Sequence, residues 1–230
     1  MATIKALLFD KDGTLIDFEA SWAPGMGAFL KHLVPNDSEI RSALGLACGF
    51  DTARGCFLAG SSFVNGTIDD TLACMQAAYP ALDVDLFYSA GAACFEDLEP
   101  APICDLNQVL GDLKSRGYIL GVITNASEKS AEQQLEKLAI RGLFSSVIGY
   151  DSGHAPKPAP DTILGFCQAF NLHPSEVAMI GDSTHDLDAG YHAKVGKNIA
   201  VLSGPASRAD LGHRADLILD DIRGLSAVLR

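Results

Sequence analysis

Two aspartates separated by one residue, Asp10 and Asp12 in DKDGTL, close a short apolar run near the start of the chain. A strand ending there would deliver both carboxylates to its C-terminal end, and Gly13 permits the tight turn that follows. Taken alone, the pair reads as a solvated Asp-Gly turn. Three later groups change that reading. Thr124 and Asn125 end a second apolar run, Lys157 sits in HAPKPAPD ahead of a helical pattern, and Asp182 and Asp186 follow a further run in GDSTHD. Each lies at the C-terminal edge of an expected strand or in the loop beyond it, and in open α/β sheets that edge is where ligands bind. Together they supply a carboxylate nucleophile, an acid, donors for phosphate oxygens and metal ligands, which is the set that phosphoryl transfer needs.

The elements that must position these residues can be read from hydrophobic spacing. Ile4–Phe9, Tyr118–Thr124, Val147–Gly149, Val177–Gly181, Asn198–Leu202 and Asp216–Leu219 are short apolar runs of the kind that form buried strands. Helical patterns fill the gaps. Cys104–Arg116 carries Leu106, Val109, Leu110 and Leu113 before a stop at Gly117, and Ser127–Ala139 has Asn125 or Ser127 as its cap. Asp161–Phe170 and Asp186–Ala193 are each opened by an acid that suits a helix N-terminus. Alternation of strand and helix from Cys104 onward predicts an α/β fold: a Rossmann-like parallel sheet with helices on both faces. Between Phe18 and Asp97 the apolar residues recur at helical spacing with no β run. Ala20–Leu33, Ser38–Leu46, Thr67–Ala78 and Leu82–Phe95 are the expected helices of an insert. The expected domains are therefore a core of residues 1–17 and 98–230 and an inserted helical domain of residues 18–97.

Composition limits the partners. Lys+Arg 17 against Asp+Glu 29 leaves a net charge of −12, which excludes a general grip on the phosphate backbone of nucleic acid and favours a bound cation. No apolar run approaches the roughly 18 residues of a membrane span, so no membrane association is expected. Cys48, Cys56, Cys74, Cys94, Cys104 and Cys167 form no C-x-x-C pair, and the N-terminus has no secretory pattern. Free thiols in a reducing cytoplasm are the expectation.

In this order and spacing the four groups resemble the haloacid dehalogenase superfamily, and within it the phosphoglycolate-phosphatase-like branch. The resemblance covers the whole chain, since the helical insert is similar to that branch's α-helical cap domain. It implies that Asp10 attacks phosphorus to form an aspartyl phosphate, while Asp12 protonates the leaving oxygen and later activates water. A carboxylate beside a metal ion stays ionised, and a second one turned away from it can carry a proton. Mg²⁺ is the implied cofactor, because a phosphate dianion and an attacking carboxylate repel and oxygen-only ligands suit that hard cation. Asp10, Asp182 and the Asp12 backbone carbonyl would hold it. Asp186 completes the metal set, ordering a metal-bound water or Lys157 from the edge of the site. Thr124, Asn125, Lys157 and neighbouring backbone N–H groups would bind the phosphate of a small-molecule phosphomonoester.

Two residues depart from the family's pattern. Lys11 stands between the aspartates where an apolar residue is common, and Ala126 follows Asn125 where relatives often carry a basic one. Neither position has a required chemical role. In the insert, Arg54 in GFDTARG could offer a fork to a substrate carboxylate, or could pair at the surface with Asp51. Trp22 is expected to pack in the insert's core, and His154 and His185 form no ligand pair. A phosphomutase would use the same four groups. A haloacid dehalogenase would need neither a Mg²⁺ cluster nor an acid at Asp12, and a silent binding or regulatory protein would be expected to have lost a catalytic position.

Overall fold

The computed structural model describes residues 3–58, 60–65, 68–95 and 98–229, with Asn65 described by its backbone alone. The first half of the chain runs β1 (Ala6–Phe9), α1 (Phe18–Leu33), α2 (Ser38–Ala47), β2 (Phe50–Asp51), β3 (Cys56–Phe57), α3 (Ser62–Asn65), α4 (Ile68–Ala78) and α5 (Val84–Phe95). Then follow α6 (Leu106–Ser115), β4 (Ile119–Ile123), α7 (Glu128–Lys137), β5 (Ser146–Ile148) and α8 (Asp161–Ala169). The chain ends with β6 (Val177–Gly181), α9 (Thr184–Ala193), β7 (Lys197–Val201), α10 (Arg208–Leu211), β8 (Leu217–Leu219) and α11 (Leu225–Val228). It divides into two compact units, Met1–Asp17 with Pro100–Arg230, and Phe18–Glu99. Asp97, at the expected boundary, and Thr67, at the expected start of the third insert helix, lie outside the described residues.

The larger unit is the expected α/β layer structure. Six strands run in the order β5-β4-β1-β6-β7-β8, and every pairing is parallel. Alternation along each strand feeds two cores. Leu7 and Phe9, with Leu120, Val122, Ala178 and Ile180, face one side and pack with Leu110 and Leu113 of α6 and Ala131 and Leu135 of α7. Ala6 and Leu8, with Val177 and Met179, face the other side and meet Ile163 and Phe166 of α8 and Ala189 and Ala193 of α9. Because both faces are covered, the strands read as continuous apolar runs rather than as alternating ones. The chain leaves β1 towards β4 and β5, then returns to β6 on the other side of β1 and continues towards β7 and β8. This reversal opens a crevice beyond the C-terminal ends of β1 and β6.

Helices make up most of the smaller unit. Met26, Phe29 and Leu30 of α1 pack with Leu44, Leu72, Met75, Phe87 and Ala90. Trp22 packs as expected, its ring 5.9 Å from Phe18, 5.9 Å from Phe63 and 5.7 Å from Phe95 between centroids. The expectation of no β structure here is corrected by the antiparallel pair β2–β3, in which Phe50 faces Phe57 and Asp51 faces Cys56. Two-residue strands are too short to leave a periodic signal. The six cysteines are free thiols, and among the described residues no helix is long and apolar enough to cross a membrane.

Candidate active site

The crevice gathers acids from two neighbouring strands. Asp10 follows β1 and Asp182 follows β6, and both are buried. Gly13 turns the chain with a φ of +92°, a conformation that residues with a side chain rarely adopt, and its N–H donates to the Ile16 carbonyl at 2.7 Å. The turn brings Thr14 back over the sheet, where its hydroxyl donates to Asp182 Oδ1 at 2.8 Å. Asp182 lies in a slot between two glycines. A Cβ at Gly13 would come within 2.3 Å of its Oδ2, and a Cβ at Gly204 within 1.7 Å. The loop after β7 is fastened to the same turn by the Ser203 hydroxyl, which donates to the Gly13 carbonyl at 2.7 Å.

Lys157 enters from the loop before α8. Its ammonium is buried and donates to Asp10 Oδ1 and Asp186 Oδ1, each at 2.5 Å. Burial alone would lower this amine's pKa, but the Asp10 and Asp186 carboxylates outweigh it and push it up, so the side chain stays charged. Asp186 is fully buried at the start of α9. Its Oδ2 accepts from the Ser183 N–H at 3.0 Å and the Ser183 hydroxyl at 2.6 Å. The helix begins two residues earlier than its spacing suggested, with Ser183 as N-cap and Asp186 closing a capping box. Asp186 therefore binds Lys157 with one oxygen and the helix end with the other.

The other expected residues divide into two groups. Thr124 is buried at the end of β4, its N–H on the Ile148 carbonyl and its Oγ1 accepting from the Ala126 N–H at 3.1 Å. Asn125, placed with the phosphate ligands from sequence, clamps the Lys157 backbone: its Nδ2 donates to the Lys157 carbonyl at 2.9 Å, and its Oδ1 accepts from the Lys157 N–H at 3.0 Å. Asp12 is half-buried and accepts from the Lys11 ammonium at 2.5 Å. Arg54 is exposed in the β2–β3 turn of the other unit. Among the described residues, the Arg54 side chain forms no ion pair with Asp51, whose Oδ1 accepts from the Ala53 and Arg54 backbone N–H groups. His154 and His185 are exposed. Thr14, Ser183, Gln134 and Gly204 had no role in the sequence reading. Thr14 and Ser183 carried a signal, through their places in DKDGTL and GDSTHD.

One carboxylate oxygen from each of Asp10, Asp182 and Asp186 lies within 4.8 Å of the others. Burial pushes Asp10 up to about 7; the Lys157 charge works against it, and Asp186 adds to it. Asp182 is held well above the ordinary carboxylate range by burial first and by the Asp10 and Asp186 charges second. Three buried acids thus share one ammonium. Such an oxygen-only set, short of positive charge, fits a hard divalent cation such as Mg²⁺. Asp10 and Asp182 are the residues that would hold it, since both Asp186 oxygens already have partners.

The haloacid dehalogenase-like hydrolase family pattern matches residues 61–201, which include Thr124, Lys157, Asp182 and Asp186. Across the full length, the chain is 31% identical to a phosphoglycolate phosphatase of Chromobacterium violaceum over 237 aligned positions, 99% of this chain and 97% of that one. Among solved structures, a haloacid dehalogenase-like hydrolase of Streptococcus pneumoniae superposes with a TM-score of 0.72 at 22% identity, covering 100% of both chains. A Bacillus subtilis HAD-hydrolase solved bound to magnesium superposes at 0.73 with 16% identity, again over 100% of both. Sequence and fold agree across both units, and the chain belongs to the haloacid dehalogenase-like hydrolases.

Proposed function

We propose that this hydrolase is a Mg²⁺-dependent phosphatase that cleaves a small phosphomonoester through an aspartyl phosphate on Asp10. The observation that carries this reading is the junction of Asp10, Asp182, Asp186 and Lys157 in one buried crevice. When bound, Mg²⁺ would offset the repulsion between the substrate's phosphate and the surrounding carboxylates. Asp10, Asp182 and the Asp12 backbone carbonyl would hold it.

In the first step an Asp10 oxygen bonds to phosphorus as the bond from phosphorus to the leaving oxygen breaks, and Asp12 gives that oxygen its proton. In the second, Asp12 takes a proton from water as the water oxygen attacks phosphorus, and Asp10 is released. Lys157 and Thr124, with backbone N–H groups beside them, hold phosphate oxygens and the charge that develops on them. Asp186 fixes the Lys157 ammonium, and Asn125 fixes its backbone. The name of the Chromobacterium relative, a phosphoglycolate phosphatase, favours phosphoglycolate as substrate, and a sugar phosphate is the other candidate. Arg54 is proposed as a substrate contact on its charge and exposure alone. Free thiols support a reducing, cytoplasmic setting.

The test is a panel of phosphoglycolate, sugar phosphates and nucleotides assayed with Mg²⁺ and with excess chelator. Phosphate release that needs Mg²⁺ is the expected result. Undiminished activity in chelator would overturn the reading.

A further inference from the structure

Lys11 is among the largest fully buried side chains of the protein. It continues the alternating series of Leu7 and Phe9, whose core includes Ala131 and Leu135 of α7. The side chain therefore enters on the α7 side of the sheet. There its ammonium donates to Gln134 Oε1 at 2.5 Å, and Gln134 is itself buried. The same nitrogen also reaches Asp12 Oδ2 at 2.5 Å. An apolar residue would fill this space without bringing a charge out of water, and a buried ammonium is tolerated only where it is paired. Here the partner is the very carboxyl read as the acid of the reaction.

We propose that Lys11 is a positioning residue for Asp12, and that Gln134 holds the Lys11 ammonium where it can act. Tying down one oxygen fixes the rotation of the Asp12 carboxyl group. A proton donor must stand within hydrogen-bond reach of the leaving oxygen, and small misplacements lower the rate steeply. The inference rests on the reading of Asp12 as acid and makes a further claim. Lys11 should matter most where the leaving group most needs a proton, and should matter only through Asp12.

A double-mutant cycle tests this, with single-turnover phosphorylation measured on an alkyl phosphate and on nitrophenyl phosphate. Lys11→Met keeps the side chain's length and removes its charge. It should slow the alkyl substrate about 10-fold to 100-fold and the aryl substrate several-fold less, because nitrophenolate leaves without a proton. In an Asp12→Asn background it should have no further effect. Gln134→Met should reproduce the pattern more weakly, and it serves in the same cycle if Lys11→Met does not fold. Equal losses on both substrates, or the same loss in the Asp12→Asn background, would overturn the inference and leave the role of Asp12 standing. A wild-type rate in Asp12→Asn itself would overturn both.

Discussion

The proposed attack on phosphorus requires Asp10 as a carboxylate, yet burial holds it up at about 7 and Lys157 only partly opposes that. This conflict makes the site testable through stability as well as activity. Between the ordinary value of 3.8 and about 7, the folded chain keeps a proton on Asp10 that the unfolded chain has released. The folded state then binds more protons, so stability falls as pH rises through that window; the contribution is complete below it and lost above it. Asp10→Asn removes the titration with little change in volume. In chelator, the melting temperature of Asp10→Asn relative to wild type should therefore rise from about pH 4 to about pH 7. A difference independent of pH would contradict the assignment. Asp182 offers a second test, because its carboxylate lies where a Cβ on Gly204 would fall. Gly204→Ala must displace either the acid or the loop, and Mg²⁺ affinity measured by calorimetry should drop about tenfold or more. Unchanged affinity would show that the slot does not position the ligand.

At the scale of elements, α9 and the loop before α8 convert chain geometry into charge placement. Ser183 caps α9 while holding Asp186, so Ser183→Ala should cost about 0.5–2 kcal/mol of stability. It should also lower activity, because the carboxylate that fixes Lys157 loses the hydrogen bond from the Ser183 hydroxyl and keeps only the one from the backbone N–H. Denaturant unfolding and steady-state assay check the two effects; an activity loss with no stability loss would contradict the capping role. The strands were legible in the sequence because a sheet covered on both faces demands unbroken apolar runs such as Ala6–Phe9 and Val177–Gly181. The start of α9 was misread because Asp186, a suitable cap by type, sits three residues inside the true cap. Residues of the four motifs could be found from spacing along the chain. Gln134 and Gly204 could not, since each is recognised only by what it touches: Lys11 from α7 in one case, and the Asp182 carboxylate in the other. Asn125 was noticed for its position beside Thr124, but its engagement with the Lys157 backbone spans 32 residues of chain.

For the whole molecule, the organisation of interest is one unit inserted into another. Both crossings are anchored side by side on the larger unit, where the Asp17 N–H donates to the Ala101 carbonyl at 2.8 Å and Ile16 bridges to Pro102. A short linker can therefore replace Phe18–Glu99. The shortened protein should keep the parallel sheet and Mg²⁺ binding, while losing discrimination among phosphomonoesters. Circular dichroism, calorimetry and the substrate panel check this, and wild-type discrimination would contradict a role of the inserted unit in substrate selection. The whole account depends on the covalent step at Asp10. The most direct measurement mixes protein, Mg²⁺ and a hydrolysed phosphomonoester carrying radioactive phosphate, quenches in acid within the first turnover, and maps the labelled peptide. The account predicts acid-stable label on the peptide containing Asp10, absent in Asp10→Asn, with turnover of that variant lower by about 10³-fold or more. Label on another residue, or turnover by Asp10→Asn near the wild-type rate, would contradict it.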